Sequence, residues 1–150
     1  MCGEALKVIG SRKRKLIQSS GERIDLIIRR LQCKECAKIH HELPACIVPY
    51  RRHCACTIES IVEGSVWSVC CENSTTARVS SWFRKRFAYF LGCLESKRAG
   101  WNQPRQIDSG SLLLRIQSCL KNKIHWLKKL VRFVVNSNLW LQTRSVLLPV

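Results

Sequence analysis

Short apolar pieces separated by turn signals fill the first third of the chain. From Thr57 onward the apolar residues recur every three or four positions. The first pattern predicts β structure. Ala5 to Ile9 and Leu16-Ile17 flank the run Ser11-Arg12-Lys13-Arg14-Lys15, and Ser19-Ser20-Gly21-Glu22 marks a turn. Arg23 to Leu31 is rich in Ile and Leu, as a strand should be. Ile39 to Pro44 predicts a last strand, stopped by Pro44 and Pro49, and Tyr50-Arg51-Arg52-His53 is a basic linker.

The second pattern predicts helices. Thr57 is placed to cap a helix that turns Ile58, Ile61 and Val62 inward and ends near Gly64. Val66 to Cys71 suits a second short helix, and Glu72-Asn73-Ser74 a turn with Ser74 as the next N-cap. The helix that follows, from about Thr75 to Leu91, buries Val79, Trp82, Phe83, Phe87, Phe90, Leu91 and Leu94. Its other face carries Thr76, Arg78, Ser81, Arg84 and Lys85. Helix, short helix, tight turn and basic helix is the layout of a helix-turn-helix. Gly100 to Gly110 suggests a loop, and two amphipathic helices follow at roughly 111–121 and 123–136. The second sets Trp126, Leu127, Leu130, Val131 and Val134 against Lys123, Lys128, Lys129 and Arg132. Leu147 to Val150 suggests a frayed tail or an abrupt truncation.

These elements predict an α+β protein in three units. Residues 1–53 form a zinc-ribbon-like β-hairpin domain, 54–98 a helix-turn-helix-like domain, and 99–150 a C-terminal helical segment. Charge sharpens the picture: 26 Lys and Arg against 10 Asp and Glu give +16. A balance so far from neutral points to a polyanionic partner. No apolar run approaches the roughly 18 residues of a membrane span, and early charges interrupt any signal-peptide core. A cytoplasmic protein is expected, with neither a membrane nor a small-molecule substrate as partner.

Ten cysteines need a role in such a compartment, where disulfides are rare. Cys33-Lys34-Glu35-Cys36 is a Cys-x-x-Cys knuckle able to supply two thiolates to one tetrahedral zinc. Cys2-Gly3 resembles the second half of a matching knuckle whose first ligand is lost or lies upstream. The expected structural zinc would use Cys2, Cys33 and Cys36, with His40 or His41 or water in the fourth place. Cys93 and Cys119 fit buried apolar positions. Cys54-Ala55-Cys56 and Cys70-Cys71 suit either packing or a second metal or redox site.

Several strings taken together resemble a known family. They are Lys7 to Arg14, Ile28 to Cys36, Ile39 to Pro44, Val48 to Arg52, Glu72 to Phe83, and Val134 to Ser137 with Trp140 to Ser145. The chain resembles the domain of unknown function 6431 family of Gram-positive bacteria, which is similar to the N-terminal parts of some transposases. The resemblance implies a zinc ribbon followed by a helix-turn-helix, and no established activity. The missing first cysteine of the knuckle departs from the family pattern.

Catalysis is not expected. The acidic residues are scattered, with only Asp108 beyond Glu95, so no pair is placed to hold two metal ions. Glu42 after His40-His41 lacks the second His of a metalloprotease helix. DNA binding uses most of the sequence. Arg12, Lys13, Arg14, Lys15, Arg29 and Arg30 would hold phosphates, while Thr76, Arg78, Ser81, Arg84 and Lys85 would face a groove. The competing expectation is a zinc-ribbon module that docks on a protein partner in a mobile-element or transcription complex.

Overall fold

A computed structural model describes residues 5–99, 110–121, 123–140 and 145–147. Cys2, the expected loop at 100–109 and the tail at 148–150 lie outside the described residues. Strands β1 (Leu6–Ile17), β2 (Arg23–Cys33) and β3 (Ile39–Leu43) run antiparallel in that order. Four helices follow: α1 (Ala55–Glu63), α2 (Asn73–Ala99), α3 (Leu112–Leu120) and α4 (Trp126–Asn136). Strand β4 (Ser145–Leu147) then returns to pair in parallel with β3, setting His41 beside Ser145 and Leu43 beside Leu147. The α+β class holds. No strand was expected at 145–147, and its last residue, Leu147, was read as the start of a tail. Three residues carry too short a period to announce a strand.

The two apolar pieces expected around the basic run are one continuous strand. The register of β1 against β2 shifts once, between Val8 and Gly10, where Gly10 takes φ +143°. The hairpin turns tightly. Gly21 N–H donates to the Gln18 carbonyl at 3.0 Å, Gln18 N–H donates to the Glu22 carbonyl at 2.9 Å, and Gly21 takes φ +87°. Lys7 to Lys13 are exposed, so the first half of β1 forms an open edge of the sheet. The base of the hairpin is anchored by Leu16 and Ile28, which are fully buried.

Helix α1 begins earlier than the sequence suggested. Cys54, not Thr57, is its N-cap: the Cys54 sulfur accepts from Thr57 N–H at 3.4 Å and sits 3.1 Å from the Thr57 hydroxyl. Cysteine is outside the usual set of capping residues, so the start was hidden. Burial alone would push the Cys54 thiol up. Its hydrogen bonds to the Thr57 hydroxyl and N–H and to Ser19 outweigh that, and hold it below the ordinary thiol value. The stop was legible, since Gly64 forms the left-handed C-cap at φ +83°.

Helix α1 also supports α4. His125, the residue before α4, offers no side-chain cap, and Glu59 of α1 instead accepts from Leu127 N–H at 3.3 Å. Glu63 accepts from Trp126 Nε1 at 2.7 Å and from Gln117 Nε2 at 3.2 Å. A buried indole N–H therefore finds the partner it needs. Phe83 packs edge-on against Trp126 at 5.4 Å and against Phe87 at 5.4 Å. One cluster of buried residues joins Leu16, Ile28 and Leu43 of the sheet to Ile58, Phe83, Ile116, Trp126 and Leu130 of the four helices. The five apolar residues expected to face inward from α4 are all buried.

Candidate nucleic-acid interface

Side chains alternate along β1, so Arg12, Arg14 and Leu16 share the face that leads into the core. Across the hairpin Arg12 stands opposite Ile28 and Arg14 opposite Leu26, and further over Arg30 stands opposite His41. Leu16 continues into the core, whereas Arg12 is exposed and Arg14 half-buried. Residues 49–52 form the facing wall. Ile17 N–H donates to the Arg52 carbonyl at 2.8 Å and Cys54 N–H to the Ile17 carbonyl at 2.9 Å, tying this wall to the end of β1. The Arg14 guanidinium braces it from inside, donating to the Arg51 carbonyl at 3.1 Å and reaching the Val48 carbonyl at 3.5 Å.

Between sheet and wall lies a cleft of about 760 Å³. Its cations are Arg12, Lys13, Arg14, Lys15, Arg23, Arg51 and Arg52, with His41 beside them and no carboxylate in the lining. Burial, Arg12, Arg30 and Arg14 all push the His41 imidazolium toward losing its proton. Burial, and then Arg12, likewise lowers the pKa of Arg14. Such crowding of like charge costs free energy in the empty cleft, and an anion would relieve it.

The expected phosphate-binding residues therefore separate. Arg12, Lys13, Arg14 and Lys15 line the cleft. Arg30 shares the face of His41, which feels its charge. Arg29 sits on the opposite face, where it forms a two-point ion pair with the buried carboxylate of Glu42, including Arg29 Nη2 to Glu42 Oε1 at 2.7 Å. Arg51 and Arg52, expected in a basic linker, His41, expected as a possible zinc ligand, and Arg23, given no role, also belong to the cleft. The basic run after Pro49 was the available signal.

On α2, Arg78, Ser81 and Lys85 share an exposed stripe, Arg84 is exposed further round, and Thr76 is half-buried. The structure does not bring this set into the cleft. Helix α2 meets the wall through Trp82 and Arg86. The Arg51 guanidinium lies 4.1 Å from the Trp82 ring centroid and that of Arg86 5.6 Å from it. Between α1 and α2 the expected second helix is a single 3₁₀ turn, Val66–Ser68.

The Cys33–Cys36 knuckle forms the turn between β2 and β3, where Cys33 N–H donates to the Lys38 carbonyl at 3.0 Å. Cys33 is buried and Cys36 exposed, and β-sheet register puts His40 opposite Leu31, on the face of Cys33. Among the described residues no three His, Cys, Asp or Glu side chains come together as metal ligands. The described donors thus do not complete a zinc set, and no step below runs through a metal. Of the remaining thiols, Cys54 caps α1 and Cys71 lies 3.6 Å from His53 Nδ1. Among the described residues no helix is long and apolar enough to cross a membrane.

The domain of unknown function DUF6431 matches residues 1–79, more than half of the chain. The chain belongs to the DUF6431 family. No curated protein and no solved structure matches it. The DUF6431 region takes in β1 to β3, the wall at residues 49–52 and α1, so the whole lining of the basic cleft falls within it. Trp82, Arg86 and the rest of α2 after Val79 lie beyond it.

Proposed function

We propose that this DUF6431 protein is a non-catalytic DNA-binding protein that takes the sugar-phosphate backbone into the cleft between β1 and residues 49–52. The observation that carries this reading is the cleft lining: seven Lys and Arg side chains with no carboxylate. A surface patch of mixed charge suits solubility. A concave, single-sign site instead concentrates field on an anion and favours a polyphosphate. The exposed stripe of Arg78, Ser81 and Lys85 on α2, flanked by Arg84 and Thr76, is the second contact, reading a groove in helix-turn-helix fashion. In that role the protein would hold DNA for a transposase-related or transcription-regulating assembly. A structural zinc on Cys2, Cys33, Cys36 and His40 belongs to the same reading as a brace for the β2–β3 turn.

Fluorescence anisotropy with a labelled duplex tests it. Binding is expected to weaken steeply with added salt, and Arg78→Ala to lower preference for the best sequence over random DNA. Salt-independent binding, or no binding at low salt, refutes the reading. A protein-interaction module is the second reading. It is favoured by apolar side chains left in solvent, with Ile27 71% and Trp67 85% exposed. Capture of one defined protein partner that Trp67→Ala abolishes, with no DNA binding, would select it.

A further inference from the structure

Residues 48–51 form a tight turn, with Arg51 N–H donating to the Val48 carbonyl at 3.0 Å. Proline at its second position and a positive φ at its third are the marks of a type II turn, whose third position favours glycine. Here that residue is Tyr50, at φ +61°. A bulky residue in the left-handed region is strained, and burial does not compensate, because Tyr50 is 67% exposed. Its side chain stands close enough to the basic cleft to act on the charge of Arg14. Strain of this kind concentrates at binding sites.

Tyr50 stands on the rim shared by two cavities. One is the basic cleft. The other, of about 180 Å³, opens on the far side of the same turn and adjoins Trp82, Tyr89, Phe90 and Trp140, with Arg51 and Arg86 as its charged residues. Its walls are fixed: Phe90 and Trp140 rings pack 5.5 Å apart, and the Tyr89 hydroxyl donates to the Leu139 carbonyl. Arg51 separates the two cavities. Its guanidinium stacks on Trp82, and its Nε–H is buried with no hydrogen-bond partner among the described residues. Buried donors are nearly always paired, so this one calls for an acceptor.

A phosphate trough beside an aromatic pocket with an unmet donor matches one chemistry. Successive units of a nucleic-acid strand present an anion, then a planar ring edged with carbonyl and ring-nitrogen acceptors. In a duplex those rings are stacked and inaccessible. We propose that the pocket receives an unpaired base of a DNA strand whose phosphates lie in the cleft, with Tyr50 stacking on the base and Arg51 Nε–H donating to its edge. Unpaired stretches of DNA then bind more tightly than their phosphates alone would account for. This rests on the DNA-binding reading above and adds the aromatic pocket to it.

The test compares two probes of equal charge: an oligothymidylate of roughly ten nucleotides, within the span one small binding fold covers, and the same phosphodiester chain made wholly of abasic units. Wild-type protein is expected to bind the thymidylate about tenfold or more tightly than the abasic chain, the discrimination that stacking on an aromatic side chain confers. Tyr50→Phe should keep that ratio. Tyr50→Gly should bring it close to one while melting no lower than wild type, since glycine relieves the left-handed strain. Equal binding of thymidylate and abasic chain by wild type overturns the base pocket and leaves the phosphate cleft standing. Binding of neither probe overturns the base pocket, and the duplex titration above then decides the phosphate cleft separately. A Tyr50→Gly variant that keeps the full ratio refutes the role of Tyr50.

Discussion

Removing Arg12 and Arg52 together should weaken DNA binding by an amount that the cleft itself fixes. Of the seven cations in the lining, Arg14 is held by the carbonyls of Val48 and Arg51, and Arg51 is stacked on Trp82. Arg12, Lys13, Lys15, Arg23 and Arg52 are left to neutralise phosphates. If each neutralises one, the plot of log affinity against log salt for duplex DNA has a slope of about −4.5. The double variant Arg12→Gln, Arg52→Gln should lower its magnitude by about 2. At ~0.1 M salt the loss in affinity is then roughly 50-fold, taking both proteins to converge near 1 M. The fold should survive, because the wall is tied to β1 through the Arg52 backbone carbonyl rather than its side chain. The control is Arg29→Gln, on the opposite face of the sheet. It leaves Glu42 buried without its ion pair and should melt lower, yet keep the wild-type salt slope. Anisotropy titrations at four or more salt concentrations would read the slopes. An unchanged slope in the double variant, or an equal flattening in Arg29→Gln, would refute the assignment of the cleft.

Three further outcomes follow from single groups. His41 is held neutral by burial and by Arg12, Arg30 and Arg14. A bound phosphate favours its charged form, so binding takes up a proton and affinity should rise from about pH 7.5 to about 5.5. His41→Gln should flatten that rise, and a flat wild-type profile counts against a phosphate near His41. Burial, then the charge of Glu63, raises the pKa of Glu59 despite its bond from Leu127 N–H. A raised carboxyl pKa contributes stability that is present at low pH and lost as pH climbs through the folded-state value. Glu59→Gln should therefore gain on wild type between about pH 4 and about pH 7 in urea unfolding, and a constant difference would sink the argument. Under reducing conditions, elemental analysis should find zinc that Cys33→Ser removes, because the proposed set draws on Cys33 and Cys36 of the β2–β3 turn; no zinc in wild type, or zinc unchanged in Cys33→Ser, would overturn that set.

The hairpin, the stop at Gly64 and the inward face of α4 were legible because each is written locally, in a turn, a glycine or an apolar period. The start of α1 at Cys54 was not, because a thiol replaces the usual hydroxyl or carboxylate cap, and the start of α4 was not, because Glu59 caps it from another helix. The site shows the same division. The run from Arg12 to Lys15 is plain in sequence, but alternation turns only every second residue of it toward the core side, and strand pairing gives Arg29 to Glu42 instead. What makes a cleft of a basic strand is the wall at 49–52, a run that reads as a linker until the bonds from Ile17 and Arg14 fold it back on β1. The tyrosine in that wall gave no signal of its own. Only the backbone reveals it, because the sequence of a Pro-Tyr pair does not say that tyrosine occupies a position suited to glycine. A residue that local rules disfavour, kept where two cavities meet, is better evidence of a binding role than any of the basic residues that first drew attention.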